Sequence, residues 1–206
     1  MKVKLVLCDF DGTITQADVL DMICDLVGKQ DISQRINSRF AAGEKDGKEA
    51  LIERFSLLEG LECSKIDSVL DRVPLTNGAE AFFEYTQKHR IKTLVLSGNA
   101  DFVLKYFKSK LHFSDFSGST LCIRHGKIQP WDPNRCKCVD KQTAAATYIK
   151  KLGLKKEEIM AIGDSVADEM LFALAGVSFL INQKSQMPAD YVVSSFYEII
   201  SYLEKG

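Results

Sequence analysis

Two short stretches at opposite ends of the chain carry aspartates in spacings suited to holding a cation. Asp9 and Asp11 follow an apolar run near the N-terminus, and Asp164 and Asp168 follow a second apolar run. In an open parallel sheet, ligands bind beyond the carboxyl ends of the strands, so we expect the four carboxylates at one sheet edge. Carboxylates gathered there repel each other unless a cation lies among them, and a set of oxygen ligands favours Mg²⁺.

The local pattern around these aspartates supports the same chemistry but also has simpler explanations. Alternate residues of an extended chain point to the same side, which brings Asp9 and Asp11 together, and Gly12 lets the backbone turn close to a ligand. Taken alone, the Asp-Gly pair is also typical of a plain turn. An acid such as Asp168 is favoured in the first turn of a helix by the helix dipole, but that does not explain Asp164 at a strand end.

Donors for an anion are expected elsewhere along the same edge. Ser97, Gly98 and Asn99 follow a strand predicted at 93–96 and precede a helix, so a hydroxyl and free backbone amides form an anion cradle there. Lys141 opens a later helix and supplies a positive charge. Taken singly, Ser97 is equally well explained as a helix N-cap, and Lys141 as a solvated surface lysine.

The elements that position these residues alternate between short β-branched runs and amphipathic helical segments. That alternation is typical of a parallel sheet with crossover helices. The exception is the segment 17–72, which carries helical patterns and no convincing strand. The sequence therefore predicts an α/β fold with a doubly wound parallel sheet, in which a Rossmann-like core (1–16 and 73–206) carries a small helical cap domain (17–72) inserted after the first strand. It also predicts a hairpin across His125-Gly126 and helices at 142–152 and 166–175.

Composition excludes several classes of function. The 206 residues contain 27 basic and 28 acidic side chains, for a net charge of −1. Such a balance argues against a basic face for nucleic acid and against a polybasic membrane patch. The N-terminal apolar run is too short for a signal core, and the stretch 170–181 is shorter than the ~20 residues of a membrane span. We therefore expect a cytoplasmic protein, a monomer or homodimer, with no nucleic-acid or membrane partner.

The six cysteines are expected to be reduced thiols in that compartment. Four candidate ligands fall in one hairpin-and-loop stretch: Cys122, His125, Cys136 and Cys138. Such a set is able to hold a structural zinc ion, although Cys-x-Cys is a tighter spacing than the usual Cys-x-x-Cys. Packing of the cysteines as small hydrophobic residues is the favoured alternative.

In chain order, the motifs Asp-x-Asp-Gly-Thr at 9–13, Ser-Gly at 97–98, Lys141 and Gly-Asp-x-x-x-Asp at 163–168 resemble the four motifs of the haloacid dehalogenase-like hydrolases. The first and last motifs are highly specific, whereas the serine and the lysine are weak signals singly. The resemblance covers the whole core. It implies a phosphoric monoester hydrolase that acts on a small phosphorylated metabolite and uses Mg²⁺ as its cofactor.

The resemblance also implies a role for each matching residue. Asp9 is expected to accept the phosphoryl group as an aspartyl phosphate, and Asp11 to protonate the leaving alcohol and then activate water. Asp9, the backbone carbonyl of Asp11, and Asp164 would hold Mg²⁺. Asp168 would orient a metal-bound water or Lys141. The remaining matches are expected to contact the phosphoryl group or substrate, or to shape the loop: Gly12, Thr13, Ser97, Gly98, Asn99 and Lys141.

Within that superfamily, the helical insert looks like the cap of the phosphoserine phosphatase-like branch. There, a glutamate after the first motif and an arginine on a later cap helix recognise the substrate, and the matching positions here are Asp18 and Arg54. The shorter acid is a departure, as are Ala167 in place of asparagine and Asn99 in place of a second glycine. A helix N-cap role for Asp18 and a surface charge for Arg54 are the ordinary alternatives.

Two other interpretations stay open at this point. The run Cys-Asp-Phe-Asp-Gly-Thr-Ile-Thr, the last motif, and the Cys-x-Cys before Lys141 also resemble phosphatases of methionine salvage, which act on a methylthio-substituted keto-pentenyl phosphate. A phospho-accepting aspartate with serine and lysine partners also resembles response-regulator receivers, which signal instead of turning over. Receivers are about half this length and lack the helical insert. We favour a phosphoserine phosphatase-like enzyme.

Overall fold

The computed structural model describes residues 2–183 and 187–205, and its centre is a six-stranded parallel sheet. In chain order the sheet strands are β1 (Leu5–Cys8), β2 (Lys92–Ala100), β3 (Asp115–Ser119), β6 (Ile159–Gly163), β7 (Val177–Ile181) and β8 (Tyr191–Val193). Their spatial order is β3-β2-β1-β6-β7-β8. A separate antiparallel hairpin is formed by β4 (Ile123–Arg124) and β5 (Lys127–Ile128). Strands β1, β6 and β7 are buried throughout, as expected when helices cover both faces of a parallel sheet.

Helices cover both faces of this sheet, which confirms the doubly wound prediction. Side chains of α5 (Ala79–Lys88), α6 (Asp101–Leu111) and α9 (Phe196–Lys205) share one apolar core with one face of the strands. On the other face, a smaller core contains side chains of α7 (Lys141–Leu152) and α8 (Glu169–Leu174).

Between β1 and α5 the chain forms the helices α1 (Val19–Asp25), α2 (Gln30–Ala41), α3 (Gly47–Ser56) and α4 (Asp67–Leu70). The outgoing and returning segments lie side by side, because the Gln16 N–H donates to the Pro74 carbonyl at 2.9 Å. Helix α3 approaches the end of β2 closely. A Cβ atom at Gly98 would lie 3.0 Å from a methyl group of Leu51, so the packing of α3 on β2 favours glycine there.

The strand register brings the candidate residues to one level. Cys8 at the end of β1 lies opposite Val95 in β2 and Ile162 in β6. Asp9 therefore leaves the sheet beside the Ser97 region on one side and beside Asp164 on the other. This is the carboxyl edge at which parallel sheets bind their ligands.

Two predicted elements have different boundaries in the structure. Strand β2 runs through Ser97 and Asn99 to Ala100, which pairs with Ser119 of β3, so Ser97 is not the N-cap of the next helix. The predicted helix at 166–175 divides into a 3₁₀ turn (Val166–Asp168) and α8, because Asp168 accepts hydrogen bonds from backbone N–H groups that precede it and closes a tight turn.

The hairpin across His125-Gly126 is confirmed, but the zinc hypothesis is not. Cys122 and Cys136 lie in contact, whereas His125 and Cys138 do not join them in a ligand set. Within residues 2–183 and 187–205, the only group of three or more potential ligands close enough to share an ion is Asp9, Asp164 and Asp168. The same residues include no helix long and apolar enough to span a membrane.

Candidate active site

Three carboxylates and one ammonium group form the centre of the site. Asp9 follows β1, and Asp164 and Asp168 follow β6; one oxygen from each lies within 4.8 Å of the others, and all three residues are buried. Lys141, the first residue of α7, places its Nζ 2.5 Å from Asp9 Oδ1 and 3.0 Å from Asp168 Oδ1. Gly163 allows this packing, since a Cβ atom there would lie 2.5 Å from that of Asp168.

The charges of this cluster do not balance. Burial raises the pKa of Asp9 well above its ordinary value, the Asp168 and Asp164 carboxylates raise it further, and Lys141 opposes them. Burial by itself would lower the pKa of Lys141, but Asp168 and Asp9 outweigh that effect and keep the amine protonated. Three carboxylates against one ammonium leave an excess of negative charge, and the donors are all oxygens. Both properties fit Mg²⁺.

Asp11 occupies a different, half-buried environment beside this cluster. Ser97 Oγ donates to Asp11 Oδ2 at 3.0 Å, and the Val19 N–H donates to Oδ1 at 2.8 Å. Burial raises the pKa of Asp11 to about 6 and the Asp18 carboxylate contributes, while these hydrogen bonds act in the opposite direction. A carboxyl group that titrates near neutral pH suits both donation and acceptance of a proton.

Asn99 was expected to face the substrate, but its side chain holds Asp11. Its Nδ2 lies 3.2 Å and 3.3 Å from the two carboxylate oxygens of Asp11, and its backbone N–H donates to Ser97 Oγ at 2.9 Å. Its Oδ1 accepts from the Ala100 N–H at 2.8 Å. Asn99 is buried, so its polar groups are directed at the residues beside it.

Contacts of Thr13 and Gly12, the two residues expected to shape the loop, hold the segment that carries Asp9 and Asp11 in place. Thr13 Oγ1 donates to Asp9 Oδ2 at 3.4 Å. Gly12 has φ +89°, a conformation that favours glycine, and its carbonyl accepts from Asn182 Nδ2 at 3.0 Å.

A second charged cluster joins the helical insert to this site. Arg54 is 5% exposed, so its interpretation as a surface charge is wrong. Its Nη2 lies 2.6 Å from Asp18 Oδ1 and 2.9 Å from Asp21 Oδ1, and its Nε donates to Ser33 Oγ at 2.8 Å. Asp18 is both the N-cap of α1 and an ion-pair partner. It precedes Val19, which binds Asp11, so the two clusters adjoin.

Several contact residues were missed from sequence, and most of them had a usable signal. Asp21 lies one helical turn after Asp18, and Asn37, which donates to Asp18 Oδ2 at 3.3 Å, lies one turn after Ser33. Residues three or four apart share a helix face, so this spacing was able to reveal both pairs. Asn182 had no local signal beyond its place after β7.

Comparison with known proteins agrees with this arrangement. The haloacid dehalogenase-like hydrolase family matches residues 6–171. The chain is 26% identical to the phosphoserine phosphatase of Methanocaldococcus jannaschii over 98% of this chain and 99% of that one. It is 27% identical to the phosphoserine phosphatase of Archaeoglobus fulgidus over 88% of this chain, and it spans about half (53%) of that longer relative.

A solved structure shares the fold over nearly the full length. It is described as a phospho-aspartyl intermediate analogue of phosphoserine phosphatase, and it superposes with a TM-score of 0.86 at 25% identity, covering 98% of this chain and 100% of that one. The chain therefore belongs to the haloacid dehalogenase-like hydrolases and is a phosphoric monoester hydrolase of their phosphoserine phosphatase-like branch.

Proposed function

We propose that this chain is an Mg²⁺-dependent phosphatase that hydrolyses a small, amino-acid-like phosphomonoester through an aspartyl phosphate on Asp9. The observation that carries the proposal is the contact of Lys141 with both Asp9 and Asp168, next to Asp164 and at the carboxyl edge of the sheet. In this proposal the contact with Lys141 orients Asp9 as the nucleophile, and the neighbouring Asp164 helps to bind the cation.

In the first step, the Asp9 carboxylate attacks phosphorus and forms the acyl phosphate, while the bond to the substrate alcohol breaks. Lys141 orients the carboxylate and opposes its protonation, and Ser97 and Lys141 would contact the phosphoryl oxygens. Asp11 in its protonated form donates a proton to the leaving alcohol. Its pKa of about 6 leaves a usable fraction protonated near neutral pH.

In the second step, water attacks the acyl phosphate and releases inorganic phosphate. Asp11, now ionised, accepts the proton of that water, so the same group serves both half-reactions. Mg²⁺, held by Asp9, the backbone carbonyl of Asp11 and Asp164, would neutralise charge on the transferring group. Asp168 acts through Lys141, which it contacts at 3.0 Å.

The cluster around Arg54 supports an amino-acid-like substrate. The hydrogen bonds of Arg54 within the described residues use Nε and Nη2, which leaves the Nη1 donors for a substrate carboxylate. Asp18 and Asp21 give the cluster an excess of one negative charge, which favours the ammonium group of such a substrate. Asp18 is one methylene shorter than the family's glutamate, so the substrate pocket either lies closer to the helical insert or accepts a slightly longer substrate.

Steady-state hydrolysis by the purified protein with Mg²⁺ tests this proposal. Phosphoserine is expected to be turned over, and an acid-quenched reaction is expected to show phosphate on the peptide that contains Asp9. Hydrolysis of methylthio-substituted keto-pentenyl phosphates without hydrolysis of phosphoserine would overturn the amino-acid-like substrate. A single stoichiometric adduct without turnover of p-nitrophenyl phosphate would contradict the phosphatase mechanism.

A further inference from the structure

We propose that Cys122 and Cys136 form a reversible disulfide that cross-links the loop between β3 and α7. This connecting loop, residues 120–139, contains the β4–β5 hairpin and leads through Asp140, the N-cap of α7, to Lys141. The cysteine pair is independent of the phosphatase site, and its oxidation is measurable without any substrate.

The two sulfur atoms are already in contact in the thiol form. The Sγ atoms lie 3.1 Å apart, and the Cys136 thiol donates to Cys122. Both residues are buried, at 3% and 7% exposure. Two backbone hydrogen bonds between Thr120 and Lys137, of 2.8 Å and 3.0 Å, hold the flanking loop segments together. Bond formation requires that the sulfurs approach from 3.1 Å to the ~2.05 Å of a disulfide and that the Cβ–S–S–Cβ dihedral reach its preferred range.

The connecting loop contacts both the helical insert and the sheet edge, so a disulfide cross-link within it would restrain the segment between them. On one side, Ile128 exchanges backbone hydrogen bonds with Gly60 and Leu61, and the Trp131 ring stacks on Phe55 of α3 with centroids 6.1 Å apart. On the other side, the Val139 N–H donates to Ser119 Oγ at 3.2 Å. A cross-link in the loop thus fixes the segment between the helical insert and the start of α7.

The oxidant assigned to this pair is a small-molecule disulfide of the oxidised glutathione type. When the connecting loop opens locally, one cysteine loses its proton to solvent, its thiolate attacks a sulfur of that disulfide, and the first thiol leaves. The second cysteine then loses its proton and attacks the mixed disulfide, which forms the Cys122–Cys136 bond and releases a second free thiol. The two cysteines lose two electrons and two protons, and the small-molecule disulfide gains both.

The cross-link is expected to suppress local opening of the connecting loop rather than to reshape it. Its ends are 14 positions apart, and closing a loop of that length removes conformations from the opened ensemble. The sulfurs already occupy adjacent positions in the folded chain, so the surroundings of Lys141 should not change.

Peptide mapping of the parent protein tests the pair directly. The folded protein is incubated with oxidised glutathione near neutral pH, the remaining thiols are alkylated, and the protein is digested with trypsin. Cleavage at Arg124 and Arg135 places the two cysteines in different peptides, and cleavage after Lys137 separates Cys136 from Cys138. We expect a Cys122–Cys136 linked peptide pair that dithiothreitol returns to free thiols.

Amide hydrogen exchange measures whether the disulfide suppresses local opening of the connecting loop. The backbone amides of Thr120 and Lys137 should exchange roughly tenfold more slowly or slower still after oxidation, while turnover of p-nitrophenyl phosphate stays within about twofold of the reduced protein. Cys122→Ala and Cys136→Ala should lose the linked peptide and the slower exchange. Cys63→Ala, which removes a partly buried cysteine outside the pair, should keep both.

The parent protein alone can overturn the inference. Complete alkylation of both cysteines after exposure to the oxidant, a stable glutathione adduct at either position, or a Cys136–Cys138 link would each contradict it. A linked peptide pair with unchanged amide hydrogen exchange at Thr120 and Lys137 would show that the disulfide does not restrain the connecting loop, which would overturn that part of the inference. None of these results bears on whether the protein hydrolyses phosphoserine.

Discussion

The Nζ of Lys141 lies 2.5 Å from Oδ1 of Asp9, although 132 positions separate the two residues. The same ammonium group contacts Asp168, so one positive charge serves two of three buried carboxylates. A phosphomonoester dianion would add negative charge to a cluster that already has an excess of it. The pairing therefore keeps Asp9 in position, and in the proposed mechanism a divalent cation would offset the negative charge that an anionic substrate adds.

The first prediction concerns the nucleophile. Asp9→Asn is nearly isosteric and should leave the fold intact, because Asp168 still balances the charge of Lys141. Turnover of p-nitrophenyl phosphate should fall by at least ~1,000-fold, since an amide does not form the acyl phosphate. Asp25→Asn, at an exposed carboxylate of α1, is the matched control and should retain parental turnover. Activity of Asp9→Asn within tenfold of the parent would reject Asp9 as nucleophile.

The second prediction concerns the cation. A chelator should abolish activity, Mg²⁺ should restore it, and Ca²⁺ should inhibit, because Ca²⁺ takes more ligands in a looser geometry. In thermal unfolding, Mg²⁺ should raise the melting temperature of the parent, and Asp164→Asn should need roughly tenfold more Mg²⁺ or greater for the same rise. An identical Mg²⁺ response of parent and Asp164→Asn would show that Asp164 is not a ligand.

The core of the site was predictable from sequence because its residues follow strands of one parallel sheet. Once Asp9 and Asp164 are placed at strand ends, the topology alone brings them together, and the structure confirms that gathering. The motif order then pointed to Lys141 and Ser97, which taken singly carry weak signals.

The rest depended on side-chain directions that sequence periodicity does not determine. Strand β2 continues through Asn99 instead of ending at Leu96, because Ala100 pairs with Ser119 in a neighbouring strand. Burial of Arg54 depends on how α1, α2 and α3 pack together, and its three partners come from α1, its N-cap and α2. Contacts between elements distant in sequence leave no periodic pattern within any one of them.

The third prediction concerns Asn99, which holds both carboxylate oxygens of Asp11. Asn99→Gly restores the family's residue and removes these contacts. We expect kcat for phosphoserine to fall roughly tenfold, because a hydrogen bond to a charged group contributes ~1.5–3 kcal/mol. The rate with p-nitrophenyl phosphate should fall less, since its leaving group needs no proton. Asn134→Ala, in an exposed loop, is the control. Equal losses with both substrates would argue against a role through Asp11.

The fourth prediction concerns pH. As the general acid, Asp11 must be protonated, so kcat/KM for phosphoserine should decline as pH rises through about 6, and the same decline should be absent with p-nitrophenyl phosphate.

The free energy of unfolding should also depend on the protonation of Asp11. Its folded-state pKa lies above the ordinary 3.8, so the folded state binds the proton more tightly, and this contribution to the free energy of unfolding is lost as pH rises from about 4 through about 6. Asp11→Asn should flatten the pH dependence of both kcat/KM and the free energy of unfolding. An unaltered kcat/KM profile in that variant would show that another group causes the decline above pH 6.

The last prediction concerns substrate recognition by Asp18. Replacing Arg54 is a poor test, because it would leave the buried carboxylate of Asp21 and the half-buried carboxylate of Asp18 without their cation, and breaking a buried ion pair costs ~3–5 kcal/mol in stability. Asp18→Asn is cleaner, since asparagine also caps helices and Arg54 keeps Asp21 as its partner. The KM for phosphoserine should rise roughly tenfold or more through loss of the ammonium contact, whereas that for p-nitrophenyl phosphate, which has no ammonium, should stay within about twofold. Asp46→Asn makes the same change at the exposed N-cap of α3 and should alter neither value. A similar rise of KM for both substrates in Asp18→Asn would mean that Asp18 stabilises the helical insert and does not recognise the ammonium group of the substrate.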